Sequence, residues 1–450
     1  MSPQEVRPQP KISHQAAWVV GCRIVGIVST LLSNVLVARL LGPEGSGAFL
    51  IATTVLAFGV ILAMSGLSEA GLRFIAENLG RNDMRIASTY LKTTLRWASI
   101  SSIVATIMVV AFMLFYARFF GDSQLTIKIV ALIGLGVMVL TWQQLTAQLL
   151  RGLNNVRAAS FFSGGQTGGP LSNLVFVTPL IVLYYCLVPV TETQVIGLLA
   201  GSICVTLPLA FWELSRSGRS LFTWDKTLVP TALSSEERTE MANVAMSMLG
   251  IQMLAFVTIQ SDIWIGGSML AARDFGLYGA AKRTQLIAHM PIQMALMTIQ
   301  ASIPRLYAQG RIKDLEKNYR SVMTMAAIPA IIGISIFAMF PVQVLTMIFG
   351  ESFSAASTIV VPLFFGLAAL VFFGSPSDVL AITGNHRLVL MVNVFSAVAL
   401  VTSGFIGAYF GGAIGLAIGS SIAAVIQNGI LWWIARKRLG IWTHLKLVGW

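Results

Sequence analysis

Between residues 282 and 300, Lys282, Gln285, His289, Gln293 and Gln300 recur at intervals of 3, 4, 4 and 7. On a helix this spacing lays an ammonium, three amides and an imidazole along one face. The neighbours are apolar, and hydrocarbon would strip these groups of hydrogen-bond partners, so the stripe must face protein or water. It is either the wall of a polar cavity or a helix contact glued by amides. Thr141, Gln144, Gln148 and Arg151 form a second set at intervals of 3, 4 and 3, close to a membrane mouth where solvation competes as an explanation. A third set is Arg23, Thr30 and Asn34, at 7 and 4. Arg23 falls about seven residues, roughly 10 Å at ~1.5 Å per residue, into its apolar run. There a guanidinium either offers paired hydrogen bonds to phosphate oxygens or snorkels to the interface. Asp262 can pair with Lys282 or Arg283, as a structural ion pair or as a coupling group, and His289 is the other titratable candidate for coupling.

The elements that carry these residues follow from composition. Of 450 residues, 56% are hydrophobic and 11% charged, with a mean hydropathy of +0.79. A soluble domain carries about 25% charged residues, so this chain lacks the polar surface to dissolve. Apolar runs long enough for a ~30 Å hydrocarbon layer recur throughout, and the alternating segments of a β-barrel are absent. The expectation is an all-α polytopic membrane protein. Its twelve approximate spans are 16–41, 47–68, 98–120, 126–149, 160–185, 193–214, 243–268, 277–302, 321–349, 356–382, 388–410 and 413–435.

With the N-terminus inside, 23 Lys and Arg fall in inner segments and three, Arg118, Lys128 and Arg273, outside. This asymmetry puts both termini in the cytoplasm. It also explains the net charge of +12 without nucleic acid. Cys22, Cys186 and Cys204 lack ligand spacing, so neither a disulfide framework nor a metal site is expected. The polar start with Pro3, Pro8 and Pro10 precedes no short cleavable apolar segment, and no removed signal peptide is expected. No phosphate loop of the G-x-x-x-x-G-K-[ST] type and no H-E-x-x-H occurs, and no connection is long enough for an enzymatic domain. Neither catalysis nor a bound cofactor is expected; a proton or sodium gradient is the candidate energy source.

The chain also repeats itself. "LAARDFGLY" (270–278) follows the seventh span as "LGPEGSGAF" (41–49) follows the first, matching Leu41 with Leu270, Gly47 with Gly276 and Phe49 with Tyr278. "GRNDMRIASTYLK" (80–92) pairs with "GRIKDLEKNYR" (310–320), and "RGLNNVR" (151–157) with "TGNHR" (383–387). Three echoes in one order point to duplication. The reading is a six-helix half over 1–214, a cytoplasmic linker over 215–242 and a second six-helix half with a basic tail over 243–450. Both halves start inside, which makes them parallel repeats with a site expected at their interface. Residues 41–49 become a tight outer turn. Arg39 beside it reads as a headgroup anchor or a partner for Glu44. "SGGQTGGP" (163–170) either breaks the fifth span, as discontinuous transporter helices do, or packs it closely through small residues.

The segment "GCRIVGIVSTLLSNVLVARLLGPEGSGAF" (21–49) resembles the first-helix signature of polysaccharide flippases in the multidrug/oligosaccharidyl-lipid/polysaccharide exporter superfamily. "SDIWIGGSMLAARDFGLYGAAKR" (261–283) is similar to the matching seventh-helix segment. The resemblance implies movement of oligosaccharide linked to a polyprenyl pyrophosphate from the inner to the outer leaflet of a bacterial cell membrane, by alternating access. It implies a cationic central cavity, which adds weight to Arg23. On this reading Arg23, Asn34, Gln144, Gln148, Lys282, Arg283, Gln285, His289 and Gln293 bind substrate, and Asp262 serves an ion pair or coupling. The partners would be lipid-linked oligosaccharide, membrane lipid, and a polysaccharide polymerase with its export machinery. A cation-coupled multidrug antiporter and a membrane-embedded glycan polymerase or ligase are the alternatives. The first would favour acidic cavity residues; the second would need a large outer loop.

Overall fold

The computed structural model describes residues 12–81, 83–120, 127–164, 168–218, 233–299 and 302–446. The N-terminal prolines, Arg7 and Lys11, the middle of the 215–242 connection, the centre of the 163–170 cluster and Gln300 lie outside the described residues. Every regular element among those described is helical, as lipid requires of a chain whose backbone donors and acceptors must find partners internally. Eight of these helices are long and apolar enough to cross a membrane, so the chain is a multi-pass membrane protein. Large apolar side chains on their surfaces, such as Ile103, Ile107 and Phe112, are more than half exposed, the pattern of a face that meets lipid.

The chain divides into two compact units. The first comprises residues 1–36 and 52–252, and the second comprises residues 37–51 and 253–450. Helix α1 (Ile12–Met64) therefore contributes to both; its run is interrupted at Gly42, where φ is 68° and ψ −173°, within the sequence-predicted turn.

In the first unit, α2 (Leu67–Gly80) follows a break at Ser65 and Gly66, both left-handed. A Cβ on Gly66 would lie 2.0 Å from the Ala245 carbonyl oxygen, so this turn demands glycine for shape as well as for φ. Then come α3 (Met84–Phe120), α4 (Ile127–Gly152), α5 (Val156–Phe162), α6 (Pro170–Tyr185) and α7 (Glu192–Ser217). The fifth span is thus discontinuous: α5 stops at Phe162, and Pro170, at the start of α6, needs no amide donor there. Leu67, Phe74, Tyr90, Leu145, Leu149, Phe162, Leu214 and Met241 form this unit's core, with Phe74 and Tyr90 stacked at 4.9 Å.

Helix α8 (Ser235–Met269) spans the division at Gln252. The second unit continues with α9 (Ala272–Ile299), α10 (Ser302–Ala308), α11 (Ile312–Met339), α12 (Pro341–Phe349), a 3-10 turn (Glu351–Ala356), α13 (Ser357–Phe373), α14 (Pro376–Ile382) and α15 (His386–Leu439). Left-handed Gly374 and Ser375 break the tenth span between α13 and α14, and Gly412 interrupts α15. Asp378 sits in the first turn of α14, where the helix dipole favours a carboxylate, and accepts from Ser375 Oγ at 2.8 Å. Leu315, Tyr319, Met323, Val371, Leu380, Leu431 and Ile441 build the main core. A smaller cluster joins Leu50 to Ile263 and Phe275.

Candidate functional site

Two groups of polar residues lie at membrane-spanning positions, one in each unit. In the first unit the break in the fifth span brings Ser163, just beyond α5, to Arg151 at the end of α4. Arg151 Nη2 donates to Ser163 Oγ, and Nη1 donates to Gln148 Oε1 at 3.1 Å. Arg23 on α1 and Glu69 on α2 both act electrostatically on Arg151. Arg23 is exposed, and Glu69 is half-buried and accepts from Ser68 Oγ. Two guanidiniums and one carboxylate thus share a neighbourhood drawn from α1, α2 and α4. Gln144 is half-buried; Asn34 is buried on α1 near Thr30, whose Oγ1 accepts from Asn173 Nδ2 at 2.9 Å.

Glu69 escaped the sequence reading because it lies beside the break in the second span, where a carboxylate looks like an ordinary helix start. Gln143 escaped too, since its neighbours Gln144 and Gln148 fit the 3.6-residue stripe and it does not. Yet Gln143 is the fully buried amide. It donates to Ser172 Oγ at 2.6 Å and accepts from Thr206 Oγ1 at 3.0 Å, while Ser172 and Thr206 lie 2.7 Å apart. This three-residue junction ties α4 to α6 and α7, and so holds the broken helix in place.

In the second unit, Asp262 on α8 is 4% exposed and its side-chain partners come from α9. Lys282 Nζ donates to both carboxylate oxygens, at 2.6 Å to Oδ2, and to the Ile259 carbonyl at 2.9 Å. Tyr278 Oη donates to Oδ2 at 2.5 Å, and the Ile263 amide donates to Oδ1 at 3.0 Å. All three ammonium hydrogens have acceptors, so the pair is internally neutral and fully hydrogen-bonded. The neighbouring Arg283 is separated from it: its guanidinium lies over the Phe49 ring, 5.9 Å from the centroid. Of the alternatives open to Asp262, the structure realises Lys282 and leaves Arg283 aside.

The rest of the α9 stripe does not act as one group. Gln285 Nε2 donates to the Leu363 carbonyl of α13 at 2.6 Å, a contact between helices. His289 Nδ1 and Gln293 Nε2 lie 3.3 Å apart and face each other. Arg39 donates to the carbonyls of Met347 and, at 2.8 Å, Ile348. It thereby occupies the last turn of α12, where the helix dipole favours a cation.

Broken helices and charged side chains within apolar helices are features that recur in transporters, where they line substrate and ion pathways. The family model for "polysaccharide biosynthesis protein" matches residues 15–308, and the chain belongs to that family. Among solved structures, an inward-facing multidrug resistance MATE family transporter of the MOP superfamily aligns with a TM-score of 0.70 at 17% identity, over 94% of this chain and 98% of that one. The lipid II flippase MurJ, in an inward closed conformation, aligns at 0.68 and 14% identity, over 94% and 87%. A MOP superfamily transporter from Pyrococcus furiosus, described as having a binding pocket of reverse polarity, aligns at 0.61 and 17%, over 95% and 96%. These identities establish the fold alone. Comparison with curated protein sequences gives no match. The resemblance read from residues 21–49 and 261–283 is borne out at the level of the family, and the fold is shared with transporters of the MOP superfamily.

Proposed function

We propose that this protein flips polyprenyl-pyrophosphate-linked oligosaccharide from the inner to the outer leaflet of a bacterial cell membrane by alternating access. The support is the charge left over in the spans. Arg23 lies in one of the eight apolar helices and Arg283 in α9, which this reading also takes as a span, and neither has a hydrogen-bond or ion-pair partner among the described residues. Asp262, the carboxylate buried among the described residues, is already neutralised by Lys282. The uncommitted charge is therefore positive. A desolvated diphosphate needs such cations, and guanidinium meets its oxygens in pairs. A cationic drug would need the reverse. Family membership supports polysaccharide precursors as cargo, and the fold shared with a lipid II flippase is consistent with a lipid-linked one.

On this reading Arg23 and Arg283 contact the diphosphate, each in its own unit. Asn34, Gln144, Gln148 and Gln293 supply interchangeable sugar contacts, while Lys282 and Gln285 position helices. Both termini lie in the cytoplasm. Two of the eight apolar helices, 47 and 54 residues long, are long enough for two crossings each. With the short apolar Pro170–Tyr185 and the more polar Ala272–Ile299, they bring the proposed number of spans to twelve. A proton or sodium gradient would drive the cycle, and a polysaccharide polymerase would receive the product.

The test is to delete the gene in its host and ask on which leaflet lipid-linked oligosaccharide accumulates. Complementation then uses wild type, Arg23→Ala and Arg23→Lys. Inner-leaflet accumulation relieved by wild type, weakly by Arg23→Lys and not by Arg23→Ala is the expected result. Full rescue by Arg23→Ala would reduce Arg23 to a snorkelling residue. Absence of accumulation, with increased drug sensitivity, would favour the antiporter.

A further inference from the structure

The segment after α15 turns back on the helix ends. Gly440 takes a left-handed turn, φ 71°, and residues 441–446 run against α11 and α13 of the same unit. Thr443 Oγ1 donates to the Phe373 carbonyl at 2.8 Å, and the Leu445 amide donates to the Phe372 carbonyl at 3.2 Å. These are carbonyls of the last turn of α13, left without helical donors by the break at Gly374. From α11, Arg320 donates to the carbonyls of His444 at 3.1 Å and Leu445 at 3.3 Å, and Thr324 Oγ1 accepts from the Lys446 amide at 2.9 Å. Ile441, Thr443 and Leu445 are buried. The strap thus replaces the hydrogen bonds that a continuous tenth span would have made.

His444 sits at the centre of this strap in a cage of rings. Phe372 stacks on it at 6.1 Å, and Trp432 and Trp442 meet it edge-on at 5.8 and 5.2 Å. Nδ1 accepts from Trp432 Nε1 at 3.1 Å, and Nε2 lies 3.4 Å from Arg320 Nη2. Indole and guanidinium nitrogens only donate, so both ring nitrogens face donors. A neutral imidazole has one lone pair to give, and Trp432 takes it. A second proton must displace the indole hydrogen bond and add a positive charge beside Arg320. Among the described residues, the ionisable groups around the ring are few. From α11 they are Arg320 and Glu316, the latter 3.5 Å from Arg320. Helix α15 brings Arg436, whose guanidinium lies 4.4 Å from the Trp442 ring centroid; the strap brings Lys446, and α13 contributes only Phe372 and Phe373. Among the described residues, cations outnumber the single carboxylate.

We propose that residues 440–446 form a pH-operated latch: neutral His444 holds the strap across the ends of α11 and α13, and its protonation releases it. The released strap exposes the α13 terminus and frees the break at Gly374–Ser375, which makes the pH on that side of the membrane a regulator of the second unit. The latch depends on the strap alone, whatever the cargo is.

Burial pushes the His444 imidazole below its usual range; Arg320 pushes it further and Glu316 opposes. A released strap titrates near ~6.5, the ordinary histidine value. Latch stability is therefore full above that pH, falls as pH drops from there to the lower closed-state value, and is flat below. The slope within the window is at most about tenfold in the open–closed ratio per pH unit for one proton.

Hydrogen exchange on the full-length protein in lipid nanodiscs tests this. Protection of the 440–446 amides is followed between pH 5 and 7.5 and corrected for intrinsic exchange. Protection of the Leu445 and Lys446 amides should fall severalfold on acidification, with α15 unchanged. His444→Gln, whose amide oxygen still accepts from Trp432, should hold the strap closed at every pH. Wild-type protection independent of pH, or a pH dependence that survives in His444→Gln, would overturn the proposal. If α15 loses protection in parallel with the strap, the acid response is global and the latch is refuted.

Discussion

Removing one partner of the Asp262–Lys282 pair should hurt far more than removing both. In Lys282→Met the thioether keeps the length of the aliphatic stem, but Asp262 loses the ammonium that contacts both its oxygens. What remains is a carboxylate 4% exposed, with Tyr278 Oη and the Ile263 amide as its donors. Breaking a buried pair from one side costs about 3–5 kcal/mol, because a charge is left desolvated without compensation. Two donors remain and Lys282's side chain is 23% exposed, so the lower end, about 3 kcal/mol, applies. In Asp262→Asn with Lys282→Met no charge is left: the carboxamide oxygen replaces Oδ1 and accepts from the Ile263 amide, while Nδ2 replaces Oδ2 and donates to Tyr278 Oη, a hydroxyl that can also accept. That double variant should recover at least half of the loss, since neutral replacements of buried pairs are often close to neutral. Thermal unfolding of the purified proteins in detergent, read by tryptophan fluorescence at fixed protein concentration, orders the three. A single variant as stable as wild type, or a double variant no better than the single, would refute the account of Lys282 as a holder of Asp262.

Gly66→Ala places a methyl 2.0 Å from the Ala245 carbonyl oxygen at a left-handed φ, and should cost more than the ~1–2 kcal/mol of the backbone penalty alone. Gly80→Ala, with nothing within 4 Å of the added methyl, should be neutral or slightly stabilising in the same thermal assay. Gln143→Leu should destabilise by about 1–3 kcal/mol, towards the lower end because Ser172 and Thr206 still bond to each other. Gly374→Ala would set a methyl 2.2 Å from the Thr443 carbonyl oxygen; hydrogen exchange should then show the strap lifted and its amide protection lost at neutral pH.

Much of the architecture was written in one dimension. Lipid leaves the backbone no partners but its own, so runs of apolar residues commit the chain to membrane helices before any packing is known. The interruption at Gly42 was legible for a similar reason, because Gly42-Pro43 cannot continue a helix without strain. The family was legible in two short segments, and a match over residues 15–308 agrees. Tertiary structure alone decided which polar side chains are spent on one another. Helical spacing put Lys282, Gln285, His289 and Gln293 on one face, yet it carries no information about the opposite helix. Asp262 claims Lys282, and the Leu363 carbonyl claims Gln285. Arg283, one residue from Lys282, points instead to Phe49. The same holds for Gln143, which breaks the periodic stripe and is nonetheless buried among three helices, and for the breaks at Gly66 and Gly374. Periodicity records which face a residue occupies; only the fold records whether another residue already fills its hydrogen-bonding capacity, and in a membrane that decides which charges remain for a ligand.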